Sequence, residues 1–486
     1  MVIFGLIACF VVAIVVRLFV PKWNTNRWSP SNTLVSFYRT PGNSLDVIFY
    51  GSSVIGAAVD PFQLYQDYGI SSYNLGLQGQ NLRCTYSWLE ESLSYQNPKV
   101  AVVEVKALSH LKEKDESRTR FSFDYMRWGK AKLQFAMNYC RDIEDASLSS
   151  FLFSPVLYHS RWDSLEESDF AFLAGEGGSL ARGFSMLNKV TPKKKYQALT
   201  GTGNPEGAGY LESETVYLRK IIERCKEEGI ELILTKTFDK QWDEDMHAYA
   251  KAIADEYGLP FFDFNMENLV TELKLNPMTD IDDSVHVNLQ AAQKITGYFG
   301  DYLKANYELT DHRSIDSAAH KDFEKGMADY QALKNDRVLS MQGNFTKWLK
   351  IISEHSKQYT VLAAMPKASV QLTTAQGSLL GEIGFSDKFK ENIWQEETQI
   401  CAALSKGKGK SKFSEKKEVA IHKMLDDETI IDISASEEKC SITVDENRKI
   451  DGSRMVSFVV YDQVTGTVAD AISITNDDNG NVVIQR

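Results

Sequence analysis

The stretch SLDVIFYGSS (residues 44–53) decides the fold. Its apolar body ends in Gly51-Ser52-Ser53, so it reads as a buried strand running into a tight turn. Asp60-Pro61 follows as an N-cap and N1 pair and starts a helix to about residue 68. ISSYNLG (70–76) reads as a second strand. Residues 81–95 carry Leu82, Tyr86, Leu89 and Leu93 on one helical face, and KVAVVEV (99–105) is a third strand after Pro98. A βαβαβ order of this kind predicts a parallel sheet with helices on its faces.

The same alternation resumes further along. Residues 212–228 form a helix stopped by Gly229, GIELILTKTF (229–238) a strand, 243–257 a helix, LPFFDFN (259–265) a strand and 288–306 a last amphipathic helix. One α/β domain is therefore expected over residues 44–308. Between 110 and 209 the pattern pauses in a mixed stretch containing the polar-aromatic string LYHSRWDSLEESDF (157–170), which reads as an insertion above the sheet.

Outside this domain the character changes. Residues 2–20 are apolar apart from Arg17. About twenty helical residues at ~1.5 Å rise just cross a ~30 Å hydrocarbon core. Arg17 lies near the end, where its side chain can snorkel. With no small-x-small cleavage site, residues 1–21 are expected to be an uncleaved transmembrane anchor. Arg17, Lys22 and Arg27 follow it, and the positive-inside rule alone would place them in the cytoplasm. Residues 311–355 read as a charged helical connector. Residues 356–486 hold short β-branched runs at 359–365, 399–404, 418–425, 429–435, 440–444, 455–462, 467–474 and 481–486. Turn signals such as Asp451-Gly452 and Thr465-Gly466 separate them, so a β-rich accessory domain is expected. The lysine-rich run SKGKGKSKFSEKK (405–417) reads as a solvated loop.

Composition narrows the function. Lys and Arg total 54 against 66 Asp and Glu, a net charge of −12, which argues against a nucleic-acid partner. The 6 Cys include no C-x-x-C pair, so neither a structural zinc site nor a disulfide scaffold is expected.

In a doubly wound sheet, ligands bind at the carboxyl ends of the strands. Three features fall there. Gly51-Ser52-Ser53 exposes a serine hydroxyl on a strand-to-helix turn. Gly79, in NLGLQG (74–79), is able to offer a backbone N–H to an oxyanion. Asp283-Ser284-Val285-His286 places a carboxylate three residues before a histidine, where it can bond Nδ1–H and leave Nε2 facing a serine. Each has a plain structural alternative; their order at the strand ends of one domain is what carries the reading.

These blocks resemble the SGNH (GDSL-like) hydrolase superfamily. Gly51-Ser52-Ser53 is similar to its G-D-S block with Ser52 in the Asp place, so the resemblance makes Ser53 the nucleophile. Gly79 takes the place of the oxyanion glycine, beside the N–H of Ser53, and Asp283 and His286 match the late D-x-x-H. The resemblance implies an α/β, SGNH/flavodoxin-like three-layer parallel sheet and a serine esterase or O-acyltransferase that needs no cofactor or metal. Strand three ends Glu104-Val105-Lys106, where the family usually has G-x-N-D, so the third oxyanion donor is missing from its usual place. Asn81 is a candidate substitute. The same lack occurs in membrane-anchored members resembling the D-alanyl-transfer protein of teichoic-acid modification and in polysaccharide O-acetyltransferases. That branch implies an extracytoplasmic protein at the cell membrane. Its partners would be a cell-envelope glycan or teichoic-acid-like polymer and a membrane-bound O-acyltransferase. A catalytically silent scaffold binding glycan or such an acyltransferase is the rival. The C-terminal domain also resembles the β-rich domain of interleukin-like EMT inducer proteins, which implies glycan binding.

Three further residues are candidates for substrate contact. Arg161 is suited to an anionic group and Trp162 to a sugar ring, unless their helix simply packs by its aromatics. Lys236 follows strand four and either meets an anionic substrate or pairs with a neighbouring carboxylate.

Overall fold

The computed structural model describes residues 2–25, 27–110, 116–175, 177–239, 241–405, 407–425 and 429–486. It divides into two compact units, Met1–Met327 and Ala328–Arg486. The first is built on β1 (Val47–Ser52), β2 (Ser72–Leu77), β3 (Val100–Glu104), β4 (Glu231–Lys236) and β5 (Phe261–Asp263), all parallel, in the order β2-β1-β3-β4-β5. This is the flavodoxin-like order, which reverses direction at β1.

Period-two alternation sends Ile48 and Tyr50 to one face, with Trp88 and Leu218, and Val47 and Phe49 to the other, with Leu64 and Ile295. Burial on both faces is why these strands read as unbroken apolar runs. Local signals set the helix ends. Asp60 accepts from the N–H of Phe62 and Gln63 ahead of Pro61–Tyr68. Asn288 caps Leu289–Asn306, and Gly229 turns left-handed after Glu212–Glu228.

Part of the insertion packs on one face of the sheet. Its helix Lys130–Asp142 brings Phe135 and Tyr139 into the core beside Trp88, with Phe123 and Phe151 edge-on. Its later part returns to the strand ends: the Asn74 N–H donates to Arg182 O (3.1 Å), that of Ser185 to Gly56 O (2.7 Å) and that of Leu289 to Leu187 O (2.8 Å).

The segment expected as an anchor forms an 18-residue helix, Val2–Phe19. Among the described residues, which exclude Met1 and the side chains of Val2, Ala8 and Cys9, no helix is long and apolar enough to cross a membrane. The expected transmembrane span is therefore unsupported. The end of the helix is tied to the insertion: Arg161 donates to Phe19 O (2.9 Å) and Lys22 pairs with Asp169 (3.1 Å).

The connector region holds the helices Ala318–Ser340 and Phe345–Glu354, and the division between units falls inside the first. In the second unit, β6 (Tyr359–Met365), β7 (Gln399–Ser405), β8 (Lys408–Ser414), β13 (Val456–Asp462), β14 (Thr467–Asn476) and β15 (Val482–Gln485) form one antiparallel sheet. Its order is β15-β14-β13-β6-β7-β8. A second antiparallel sheet joins β9 (Val419–Met424), β10 (Ile430–Ala435), β11 (Cys440–Val444) and β12 (Asn447–Ser453). The sheets share a core that includes Leu362, Cys401, Val459, Ile431 and Ile442. The helices Phe345–Glu354 and Thr374–Ile383 cover the other face of the larger sheet. Two expectations are corrected here. Within the lysine-rich run, Lys408–Ser414 form the edge strand β8, whose exposed lysines shield it from further pairing. Asp451-Gly452 lies within β12; the turn before it is Asp445-Glu446, both at positive φ (48° and 61°) as a tight hairpin demands.

Candidate active site

β1 ends at Ser52, and Ser53 opens the short helix Ser53–Gly56. Gly51 has φ +145°, and a Cβ there would meet Glu104 Cβ at 2.7 Å, so the approach of β1 to β3 requires glycine. Ser53 thus stands at the carboxyl end of the strand where the sheet order reverses, the usual ligand position in such sheets. Asp283 and His286 come from the loop before Leu289–Asn306, which the Ile281–Val287 bridge and the Asn288 cap hold in shape.

The three side chains form one relay. Ser53 Oγ lies 2.8 Å from His286 Nε2. His286 Nδ1 lies 3.0 and 2.9 Å from Asp283 Oδ1 and Oδ2. Asp283 Oδ1 also accepts the N–H groups of Val285 (2.9 Å) and His286 (3.0 Å). With the Nδ1 proton directed at the carboxylate, Nε2 accepts the Ser53 hydroxyl proton. Burial alone would raise the Asp283 carboxyl. The hydrogen bond to His286, its charge and the two backbone donors outweigh that and hold it well below the usual carboxylate range. Ser53 is 8% exposed, so the hydroxyl is reachable yet largely screened from water.

Two residues before the sheet also belong to the site, and sequence reasoning missed both. Arg27 donates to Asp283 Oδ2 (3.3 Å) and to the buried Asp282, whose Oδ1 accepts the Lys189 N–H (2.8 Å). The Trp28 ring packs on the His286 ring at 4.7 Å and 52°. Arg27 had a sequence reading only as an orientation charge. The one signal was the string WNTNRW (23–28), two tryptophans and a cation just after an apolar helix.

Ser52, next to Ser53, touches a buried ionic cluster at the ends of β3 and β4. Glu104 accepts from Ser52 Oγ (3.1 Å) and the Lys106 N–H (2.9 Å). Lys106 Nζ donates to Asp239 (2.5 Å), and Lys236 Nζ lies 3.6 Å from Glu104 and 3.4 Å from Asp239. Burial pushes the Glu104 carboxyl up; for Asp239 the charges of Lys236 and Lys106 outweigh burial and bring it down. Lys236 is fully buried and faces the carboxylates of this cluster.

The remaining candidates are placed as follows. Gly79 has φ +68°, and a Cβ there would meet the stem of Arg118 at 2.5 Å. Its N–H has no acceptor among the described residues. Asn81 is the N-cap of Leu82–Ser92, its Oδ1 accepting the Cys84 N–H (2.9 Å), which gives it a structural task. Arg161 is engaged by Phe19 O and Asp169 Oδ2 (2.8 Å), and Trp162 is exposed on the insertion; neither is brought to Ser53 by a recorded contact. Among the described residues no group of three or more His, Cys, Asp or Glu is placed to hold a metal ion.

No family model matches this chain, and no curated protein matches it. Solved structures similar to it include the following two. A putative GDSL-like lipase from Parabacteroides merdae is 13% identical, with a TM-score of 0.26 over 55% of this chain and 96% of that one. A catalytic mutant of an acetylxylan esterase from Geobacillus stearothermophilus is 15% identical, with a TM-score of 0.27 over 55% of this chain and 97% of that one.

Proposed function

We propose that this protein is a serine esterase or O-acyltransferase of SGNH type. The observation that carries this is the hydrogen-bonded relay from Ser53 through His286 to Asp283 at the carboxyl end of β1. In this reading Ser53 Oγ attacks the acyl carbonyl carbon while His286 Nε2 takes its proton. The ester C–O bond breaks, and His286 returns the proton to the departing alkoxide. Water or an acceptor hydroxyl then attacks the acyl-serine, again giving its proton to His286; the acyl C–Oγ bond breaks, and His286 returns that proton to Ser53 Oγ. Asp283 fixes the Nδ1–H tautomer and stabilises the imidazolium. The N–H groups of Ser53 and Gly79 hold the oxyanion.

The substrate class in this reading is an acyl ester on a cell-envelope polysaccharide or teichoic-acid-like polymer. The work is done at the outer side of a membrane to which the apolar N-terminal helix attaches the protein, beside a membrane-bound O-acyltransferase. The exposed side chains of Ile3, Phe4, Leu6 and Phe10 support the membrane attachment.

One observation favours a second reading, a silent scaffold that binds glycan or the acyltransferase. In the sequence, Glu104-Val105-Lys106 stands where a third oxyanion donor would be, and losing such a donor typically costs ~10²–10³ in rate. Acetate release from a small acetyl ester separates the two. Turnover by the wild type that disappears in Ser53→Ala supports the enzyme; equal rates in both support the scaffold.

A further inference from the structure

Among the described residues, exposed large apolar side chains are concentrated in two places. Seven lie in Val2–Phe19, between Ile3 and Val12, and ten lie between residues 128 and 170, in the insertion. Contiguous apolar patches beyond a few hundred Å² mark interaction surfaces.

The two sets adjoin. A cavity of about 780 Å³ is lined by Val12 and Val16 of the N-terminal helix, by Val20 just after it, and by Trp128, Leu152 and Phe153 of the insertion. Below it the helix end is tied down by the Arg161–Phe19 and Lys22–Asp169 contacts and by the Trp23 indole N–H on Asp124 (3.1 Å). The helix therefore does not project as a free rod. Its open part, about ten residues, is ~15 Å long, half of a ~30 Å hydrocarbon core.

The charge around the cavity is opposite to that of the chain. Arg17, Arg39 and Arg127 line it, with Lys132 buried beside the single carboxylate, Asp124, although the net charge of the protein is −12. Apolar side chains flanked by cations are the composition that enters a headgroup and upper-acyl region bearing anionic lipids.

We infer that the insertion helices between residues 128 and 170 and the N-terminal helix form one seat, sunk into a single leaflet of an anionic phospholipid bilayer. This rests on the membrane-attached reading above and adds the insertion as a second lipid-contacting element. The seat holds the domain at a fixed height, because its core residues Phe123, Phe135 and Phe151 pack into the same layer as Trp88.

The test uses the full chain in nanodiscs of phosphatidylcholine and phosphatidylglycerol with acyl chains brominated near the headgroup. Tryptophan emission is compared with that in unbrominated discs. The seat predicts bromine quenching that decreases in Trp128→Phe and in Trp162→Phe, and decreases further in the double variant. It also predicts weaker quenching of these rings in discs of phosphatidylcholine alone. A chain that enters the discs with quenching unchanged by either substitution overturns the seat and leaves the helix as the sole attachment. In that case the exposed apolar face belongs to a protein partner. A chain that does not enter the discs overturns both attachment and seat, while acetate release through Ser53 stays a separate matter.

Discussion

The Arg27 guanidinium lies 3.3 Å from the Asp283 carboxylate, across 256 positions of sequence, and also holds the buried Asp282. It ties the segment after the N-terminal helix to the relay. Arg27→Ala is expected to loosen the Asp283 loop and lower kcat/KM roughly ten- to hundred-fold. Leaving Asp282 buried and short of a partner should cost about 1–3 kcal/mol of stability. Kinetics well below the melting transition separate the two effects. A lower melting temperature with unchanged kcat/KM would make Arg27 a purely structural residue.

Ser53 and His286 should act as a unit. Each alanine variant is expected to remove most ester turnover, and the double variant little more. Asp283→Asn should keep more residual activity, since that carboxylate orients and stabilises but does not attack. Ser52→Ala should leave turnover largely intact and lose about 1 kcal/mol, because the Ser52 hydroxyl serves Glu104. Initial rates on one small ester, with denaturation curves, check all of these. Loss in Ser52→Ala without loss in Ser53→Ala would reassign the nucleophile.

Gly51→Ala puts a methyl group 2.7 Å from Glu104 Cβ at a φ of +145°. Relief requires β1 and β3 to move apart, which displaces Ser53. A destabilisation of about 1–3 kcal/mol is expected, together with loss of turnover. Circular dichroism melts and the ester assay measure it; wild-type values for both would show that β1 tolerates the side chain.

The second unit should carry its own pH dependence. Burial, then the charge of Asp462 and a hydrogen bond to it, push the Asp336 carboxyl up to about 8. A carboxyl raised in the folded state contributes stability that is fully present below its unfolded value of about 3.9 and is lost as pH rises through the folded value. The unit's melting temperature should therefore fall between about pH 4 and pH 8. Asp336→Asn should flatten that slope and exceed the wild type at pH 8. A wild-type slope retained in the variant would assign the dependence elsewhere.

The sheet was legible in the chain because its strands are buried on both faces and its helices carry their own caps, as at Asp60-Pro61 and Gly229. The relay was legible because Asp283 and His286 are three residues apart and Ser53 stands two residues after a glycine that the turn demands. What stayed hidden depends on long-range contact. Nothing local says that Trp28 packs on His286, or that Lys236 is enclosed between Glu104 and Asp239. The edge strand β8 was hidden for a different reason: outward lysines give an edge strand the composition of a loop.

The central claim is that Ser53 is a nucleophile activated by His286. Its most direct measurement is labelling of the folded wild-type protein with a fluorophosphonate, followed by peptide mapping. A single adduct on Ser53 is expected, formed much more slowly in His286→Ala. A folded protein that takes no label on Ser53, or takes it on Ser52 instead, would contradict it.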